Sequence, residues 1–105
     1  MHCSLLENSY KRRKYVIYPD ADSTYFIGNI VAIKYNNYWD IELMNVVQKR
    51  QGYGSFLLNY VINDLKNTTN LLTVHPVTKE SLKFFQKHNF KSGFQDQELL
   101  FYLNV

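Results

Sequence analysis

Cysteine, proline and glycine are all scarce: the 105-residue chain has one, two and four of them. A single cysteine, Cys3, excludes an internal disulfide, and nothing beside it would lower its thiol pKa. Three histidines without ligand-like spacing speak against a structural zinc site, so no metal is expected. No stretch of about 18 apolar residues occurs, so no membrane span is expected. The opening M-H-C-S-L-L-E-N lacks the basic start and apolar run of a secretory signal. A cytoplasmic, reducing compartment is the resulting expectation. Neither sign of charge dominates. The net charge of +3 suits an anionic ligand and is too small to argue for nucleic acid, and no RRM-like or OB-like motif is present.

What the chain does have is a core. Its hydrophobic fraction is 46% and its aromatic fraction 16%, enough for one packed domain spanning 1–105. No internal repeat, low-complexity tract or linker divides it. Basic residues gather in two places, Lys11-Arg12-Arg13-Lys14 and Lys49-Arg50. The first run reads as a solvated segment ahead of a strand.

β-branched and aromatic runs predict strands at 14–18, 25–35 and 38–47, with a turn at Asn36-Asn37, as an antiparallel meander. Within 38–47, Trp39, Ile41 and Leu43 are expected on one face and Asp40 and Glu42 on the other. Apolar residues at 57, 58, 61, 62 and 65 have the helical period and predict a helix over 53–66. A short strand follows at 71–75, closed by Pro76. A second helix is predicted over 79–88, with Thr78 as its N-cap and Leu82, Phe85 and His88 on one stripe. F-K-S-G-F and E-L-L-F-Y-L-N-V read as a closing pair of strands. The order is β-β-β-α-β-α-β-β, an α/β sheet of mixed, mostly antiparallel direction. Its β-α-β stretch from 38 to 75 should make two strands parallel.

The strand-to-helix turn Q-K-R-Q-G-Y-G-S carries two of the four glycines. Glycine costs about 0.5–1 kcal/mol inside a regular element relative to alanine, so it marks a turn or a close approach to the backbone. A helix N-terminus offers unpaired N–H groups and partial positive charge. Gly52 and Gly54 leave room for a phosphate, Ser55 adds a hydroxyl, and Lys49 and Arg50 add charge. The pattern reads as a phosphate or pyrophosphate cradle, or as an ordinary tight turn. It lacks the G-K-S/T of a Walker loop and the third glycine of the dinucleotide fingerprint.

N-V-V-Q-K-R-Q-G-Y-G-S-F-L-L resembles the acyl-CoA-binding motif of the GNAT superfamily of N-acyltransferases, Q/R-x-x-G-x-G/A. L-T-V-H-P-V-T-K-E-S-L-K-F-F-Q-K-H-N-F resembles the family's next segment, and the two likenesses cover residues 38 to 90 in the right order. The chain is most similar to the short forms of bacteria, phages and mobile elements. Residues 1–13 leave little room for the N-terminal helices, which are expected to be shortened or absent.

The resemblance implies a sheet splayed around an acyl-CoA cleft, with acetyl-CoA as cosubstrate. It implies that amides of Lys49, Arg50, Gln51, Gly52, Tyr53, Gly54 and Ser55 bind the pyrophosphate. The backbone of Asn45, Val46 and Val47 would pair with the pantetheine arm, and the Val46 N–H would polarise the thioester carbonyl. Lys49 stands at the family's Gln/Arg position, Asn89 at the glycine before Phe90, and Phe85 where a tyrosine often protonates the leaving thiolate.

For direct attack of an amine on the thioester, Glu42 is the first candidate base and Asp40 its rival. His75 could hold a water or donate a proton, and Tyr102 could replace the missing acid. The implied function is an acetyl-CoA-dependent N-acetyltransferase acting on a primary amine, with an open cleft favouring a protein lysine. The alternative is a non-catalytic CoA-binding or protein-interaction module on the same fold. Exposed aromatics and edge strands leave monomer and homodimer both open.

Overall fold

A computed structural model describes residues 1–47, 52–76 and 78–105. One seven-stranded sheet runs through the chain in the order β1-β2-β3-β4-β5-β7-β6. The strands are β1 His2–Asn8, β2 Arg12–Tyr18, β3 Gly28–Tyr35, β4 Tyr38–Val46, β5 Leu71–Val74, β6 Lys91–Gln95 and β7 Glu98–Asn104, and the helices are α1 Tyr53–Leu65 and α2 Lys79–Lys87. β1 to β4 form an antiparallel meander, β4 and β5 are parallel, and β5, β7 and β6 are antiparallel again.

The expected order holds except at its start. His2–Asn8 is a strand, so the sheet has seven strands where six were expected. Its pattern does not alternate cleanly. β2 supplies what the pattern lacks, pairing Cys3 with Ile17 and Leu5 with Tyr15. A short hairpin thus occupies the N-terminal region, where helices were expected to be shortened or absent.

The basic run 11–14 also differs from expectation, because β2 begins two residues early and takes in Arg12 and Arg13 as well as Lys14. Each cation has a partner that keeps it there. Arg12 pairs with Glu7, Lys14 lies over the Phe26 ring, and Arg13 bonds Asp64 of α1 at 2.8 Å while covering Trp39. Tyr15 donates its hydroxyl to the same Asp64. This half-buried group ties the far end of α1 to the sheet.

Both helices pack on one face. Tyr15, Ile17, Ile30, Ala32, Trp39, Ile41, Leu72 and Val74 meet Leu57, Leu58, Val61 and Leu65 of α1, with Phe85, Phe90 and Phe101 in the same core. Among the described residues no helix covers the opposite face. Phe26, from the connection after β2, turns back onto Tyr18 and Lys14 there.

The expected alternation along β4 fails at one residue. Val31 pairs with Leu43 and Ala32 with Ile41, leaving Glu42 as the extra residue of a β-bulge. The bulge moves Leu43 out of the Trp39–Ile41 face to 47% exposure, and Met44 packs against the core instead.

The ends of α2 fix the second wall of the site. Thr78 Oγ1 accepts the Ser81 N–H and Ser81 Oγ accepts the Thr78 N–H, a reciprocal cap. At the other end Asn89 is left-handed, with φ +70. Phe90 N–H reaches the Phe85 carbonyl and Asn89 N–H the Gln86 carbonyl, and the Phe85 and Phe90 rings meet edge to face at 5.2 Å. This is a Schellman motif with asparagine in the usual glycine position. Asn89→Gly is expected to leave urea stability within about 0.5 kcal/mol of the parent, whereas Asn89→Val costs about 1–2 kcal/mol through its left-handed backbone. Equal midpoints for the two variants would contradict this account of the cap.

Candidate functional site

β4 and β5 run together for only three pairs, Trp39↔Leu72, Asp40↔Thr73 and Ile41↔Val74. From Glu42 onward β4 keeps β3 on one side and has no β5 residue on the other. The Val47 N–H is taken by the Ile27 carbonyl at 2.8 Å. Strand alternation sends the Asn45 amide the same way and turns those of Met44 and Val46 toward the gap. Of the three backbone positions expected to face a pantetheine arm, Val46 has its N–H on that side.

A cavity of about 510 Å³ opens there on the helix face. Met44 and Val46 form its floor, Gly52, Gly54 and Ser55 one wall, and Thr78, Ser81 and Phe84 the other. Gly52 is the N-cap of α1 with φ +78, and among the described residues no side chain caps the helix. A Cβ on Gly52 would meet nothing within 4 Å, so its need for glycine is conformational. A Cβ on Gly54 would touch Met44 Cε and Phe84 Cε1 at 3.4 Å, so this glycine keeps the cavity open between the two walls. The first-turn amides of Tyr53, Gly54 and Ser55 have no acceptor within the helix. The glycine turn, the open wall and the amides together fit an elongated phosphate-bearing ligand such as an acyl-CoA. Lys49, Arg50 and Gln51 lie outside the described residues. Tyr53 packs against the core, while Phe56 is 42% exposed.

At the same parting of strands, the helix-free face carries a cluster of polar side chains. Asp40 is buried, accepts the Thr73 hydroxyl, and lies 3.5 Å from His75 Nδ1. Burial pushes the Asp40 carboxyl up to about 6. The Thr73 hydroxyl and His75 hold it down, and the neighbouring Glu42 carboxylate pushes it up. Glu42 is exposed, and the Tyr35 hydroxyl donates to its Oε1 at 2.7 Å. That carboxylate raises the Tyr35 hydroxyl to about 12. The His75 side chain is 41% exposed, with Nδ1 turned to Asp40. The arrangement can accept a proton at a solvent-facing group and share it with a buried carboxyl.

Tyr102 sits opposite Thr73 on β7, which places it on the face of Asp40 rather than in the helix-side cavity. Phe85 is buried between Phe84 and Phe90. Cys3 is buried, and desolvation raises its thiol to about 11, an inert setting. Among the described residues, no group of three or more His, Cys, Asp or Glu side chains is arranged to hold a metal ion.

Sequence reasoning missed two features. Thr73 reads as a plain strand residue, and its bond to Asp40 depends on the parallel register. Ser55 Oγ and His88 Nε2 lie 2.9 Å apart, although 33 positions separate them in the chain.

No family model matches the sequence, and no curated protein does. Solved structures do match in shape. The PaiA N-acetyltransferase of Thermoplasma acidophilum, solved in complex with coenzyme A, superposes with TM-score 0.77 at 17% identity, over 90% of this chain and 62% of that one. This chain thus spans somewhat under two thirds of that protein's length. A GNAT-family protein from Desulfovibrio desulfuricans gives 0.73 at 17% identity, over 90% of this chain and 69% of that one. The anti-CRISPR protein AcrVA5 gives 0.64 at 19% identity, over 73% of this chain and 90% of that one. With its sheet parted between β4 and β5 and a glycine-led helix at the opening, this chain has the fold of the GNAT acetyltransferases.

Proposed function

We propose that residues 1–105 form a single acetyl-CoA-dependent N-acetyltransferase domain, moving an acetyl group to a primary amine. One observation carries the reading. The gap between β4 and β5 has an uncapped helix N-terminus and open cavity on one face, and a proton-accepting cluster on the other. Bound acetyl-CoA would supply the activated acetyl thioester. The solved PaiA complex with coenzyme A supports this choice of ligand.

The residues divide the work by face. Amides of Gly52 to Ser55 hold the pyrophosphate, joined by Lys49, Arg50 and Gln51. Met44 and Val46 line the path of the pantetheine arm, and the Val46 N–H polarises the carbonyl. Glu42 takes the proton that the acceptor nitrogen loses as its bond to the acetyl carbon forms. Tyr35 orients Glu42, and Asp40 and His75 stabilise the proton once it is transferred. Tyr102 serves the same, acceptor-side face. The carbon–sulfur bond then breaks, and the thiolate leaves and takes a proton from water, without the tyrosine that Phe85 replaces. The uncovered face leaves the acceptor path broad, which favours a lysine on a protein or peptide over a small enclosed amine.

The second reading, a CoA-binding module without turnover, rests on Phe85, which can donate no proton. Release of free thiol from acetyl-CoA across a panel of lysine peptides, polyamines and small amines separates the two. Turnover with any acceptor supports the enzyme, while binding without turnover on the whole panel supports the module.

Two further outcomes are expected. Glu42→Gln should lower kcat about 100-fold or more with acetyl-CoA affinity unchanged, the usual weight of a general base. Equal kcat in parent and variant would remove Glu42 from that role. Asp40 has a raised pKa in the folded protein, so its contribution to stability is present at low pH and lost as pH rises from 3.8 through about 6. Unfolding free energies from urea titrations between about pH 4 and 7 should therefore fall in the parent relative to Asp40→Asn, by at most about 3 kcal/mol. Parallel curves would contradict the assigned environment of Asp40.

A further inference from the structure

We propose that His88 is a positioning residue for the phosphates of the cofactor, setting the direction in which the Ser55 hydroxyl donates. The inference rests on the reading of the helix-side cavity as the acyl-CoA site.

The geometry joins the two helices at the cavity. Ser55 lies in the first turn of α1, His88 caps the C-terminus of α2, and their Oγ and Nε2 atoms are 2.9 Å apart. The imidazole also rests against the Phe84 ring at 4.8 Å, and that ring faces Gly54 across the cavity. The histidine is thus fixed by contacts on both walls.

A serine hydroxyl has one hydrogen to donate and two lone pairs to accept with. If Nε2 accepts, that hydrogen is committed to the imidazole and cannot reach a ligand. If Nε2 carries the proton and donates, the Ser55 hydrogen is released toward the cavity. An arriving phosphate selects the second arrangement, because only then does the hydroxyl give it a charge-assisted bond. Burial, and then the charge of Lys87, lower the His88 pKa, so the ring is neutral near pH 7 and both tautomers are open to it. Lys87 is the charged neighbour identified for it among the described residues. α1 presents the uncharged Ser55 and β4 the uncharged Met44 and Val46, while α2 brings Glu80 as well as Lys87 to the same cavity. A bound pyrophosphate reverses the balance and raises the imidazole pKa.

The test is nitrogen-resolved NMR of the His88 ring in the intact protein, with and without coenzyme A, beside calorimetry of coenzyme A on Ser55→Ala, His88→Leu and His88→Gln. Coenzyme A is expected to move Nε2 to the protonated chemical-shift range and to raise the ring pKa. Ser55→Ala and His88→Leu should each weaken binding about tenfold, the double variant no further, and His88→Gln should restore most of the affinity through its amide donor. Tight binding by the parent with an unmoved His88 resonance and parental affinity in His88→Leu would overturn the proposal alone. No binding by the folded parent would overturn the cavity reading and this proposal with it.

Discussion

The central constraint is the short parallel contact between β4 and β5. Hydrogen-bonded strands satisfy one another's backbone groups, and β4 gives up that satisfaction beyond Ile41. Its next residue is the bulged Glu42, which bends the strand and increases its twist. After the bulge, alternation sends the amides of Asn45 and Val47 to β3 and those of Met44 and Val46 to the opening. A gap edged by amides turned away from the neighbouring strand suits an extended ligand that can act as a missing strand. The cavity, the glycine turn and the polar cluster are all placed by this parting of two strands.

Around the opening, the two faces of the sheet meet different demands. The helix face leaves the first-turn amides clear of side chains, with Gly52 and Gly54 where α1 begins. The free face holds a carboxylate in a partly dry setting. Asp40 manages this through the Thr73 hydroxyl on the adjacent strand and the His75 ring beyond it. At the far end of α1, Asp64 gathers Arg13 and Tyr15, so the helix is fixed at the end away from the cavity as well. Partners of this kind matter because a buried or half-buried charge without one is costly.

Much of this was legible in the sequence, for identifiable reasons. α1 announced itself by the period of Leu57, Leu58, Val61 and Leu65, and α2 by Thr78 as cap. The Asn36-Asn37 turn and the parallel β4–β5 pairing followed from local punctuation and from connection length. The likeness of Q-G-Y-G-S to an acyl-CoA turn drew attention to the end of α1 that borders the cavity. What stayed hidden depends on distant partners. β1 is a strand because β2 pairs with it, and Arg13 enters the sheet because Asp64 waits 51 positions away. The bulge at Glu42 reflects a register with β3 that no local pattern encodes, and it moved Leu43 out of the core. Ser55 and His88 meet only because both helices lie on one face of the sheet.

The central claim is that the opening between β4 and β5 holds acyl-CoA. Calorimetric titration of acetyl-CoA into the parent and into Gly54→Asp tests it most directly. The substitution puts a carboxylate between Met44 and Phe84, where the chain keeps an open wall. The account predicts micromolar binding by the parent and its loss in a variant that remains folded by circular dichroism. A folded parent that does not bind, or a variant that binds equally well, would contradict it.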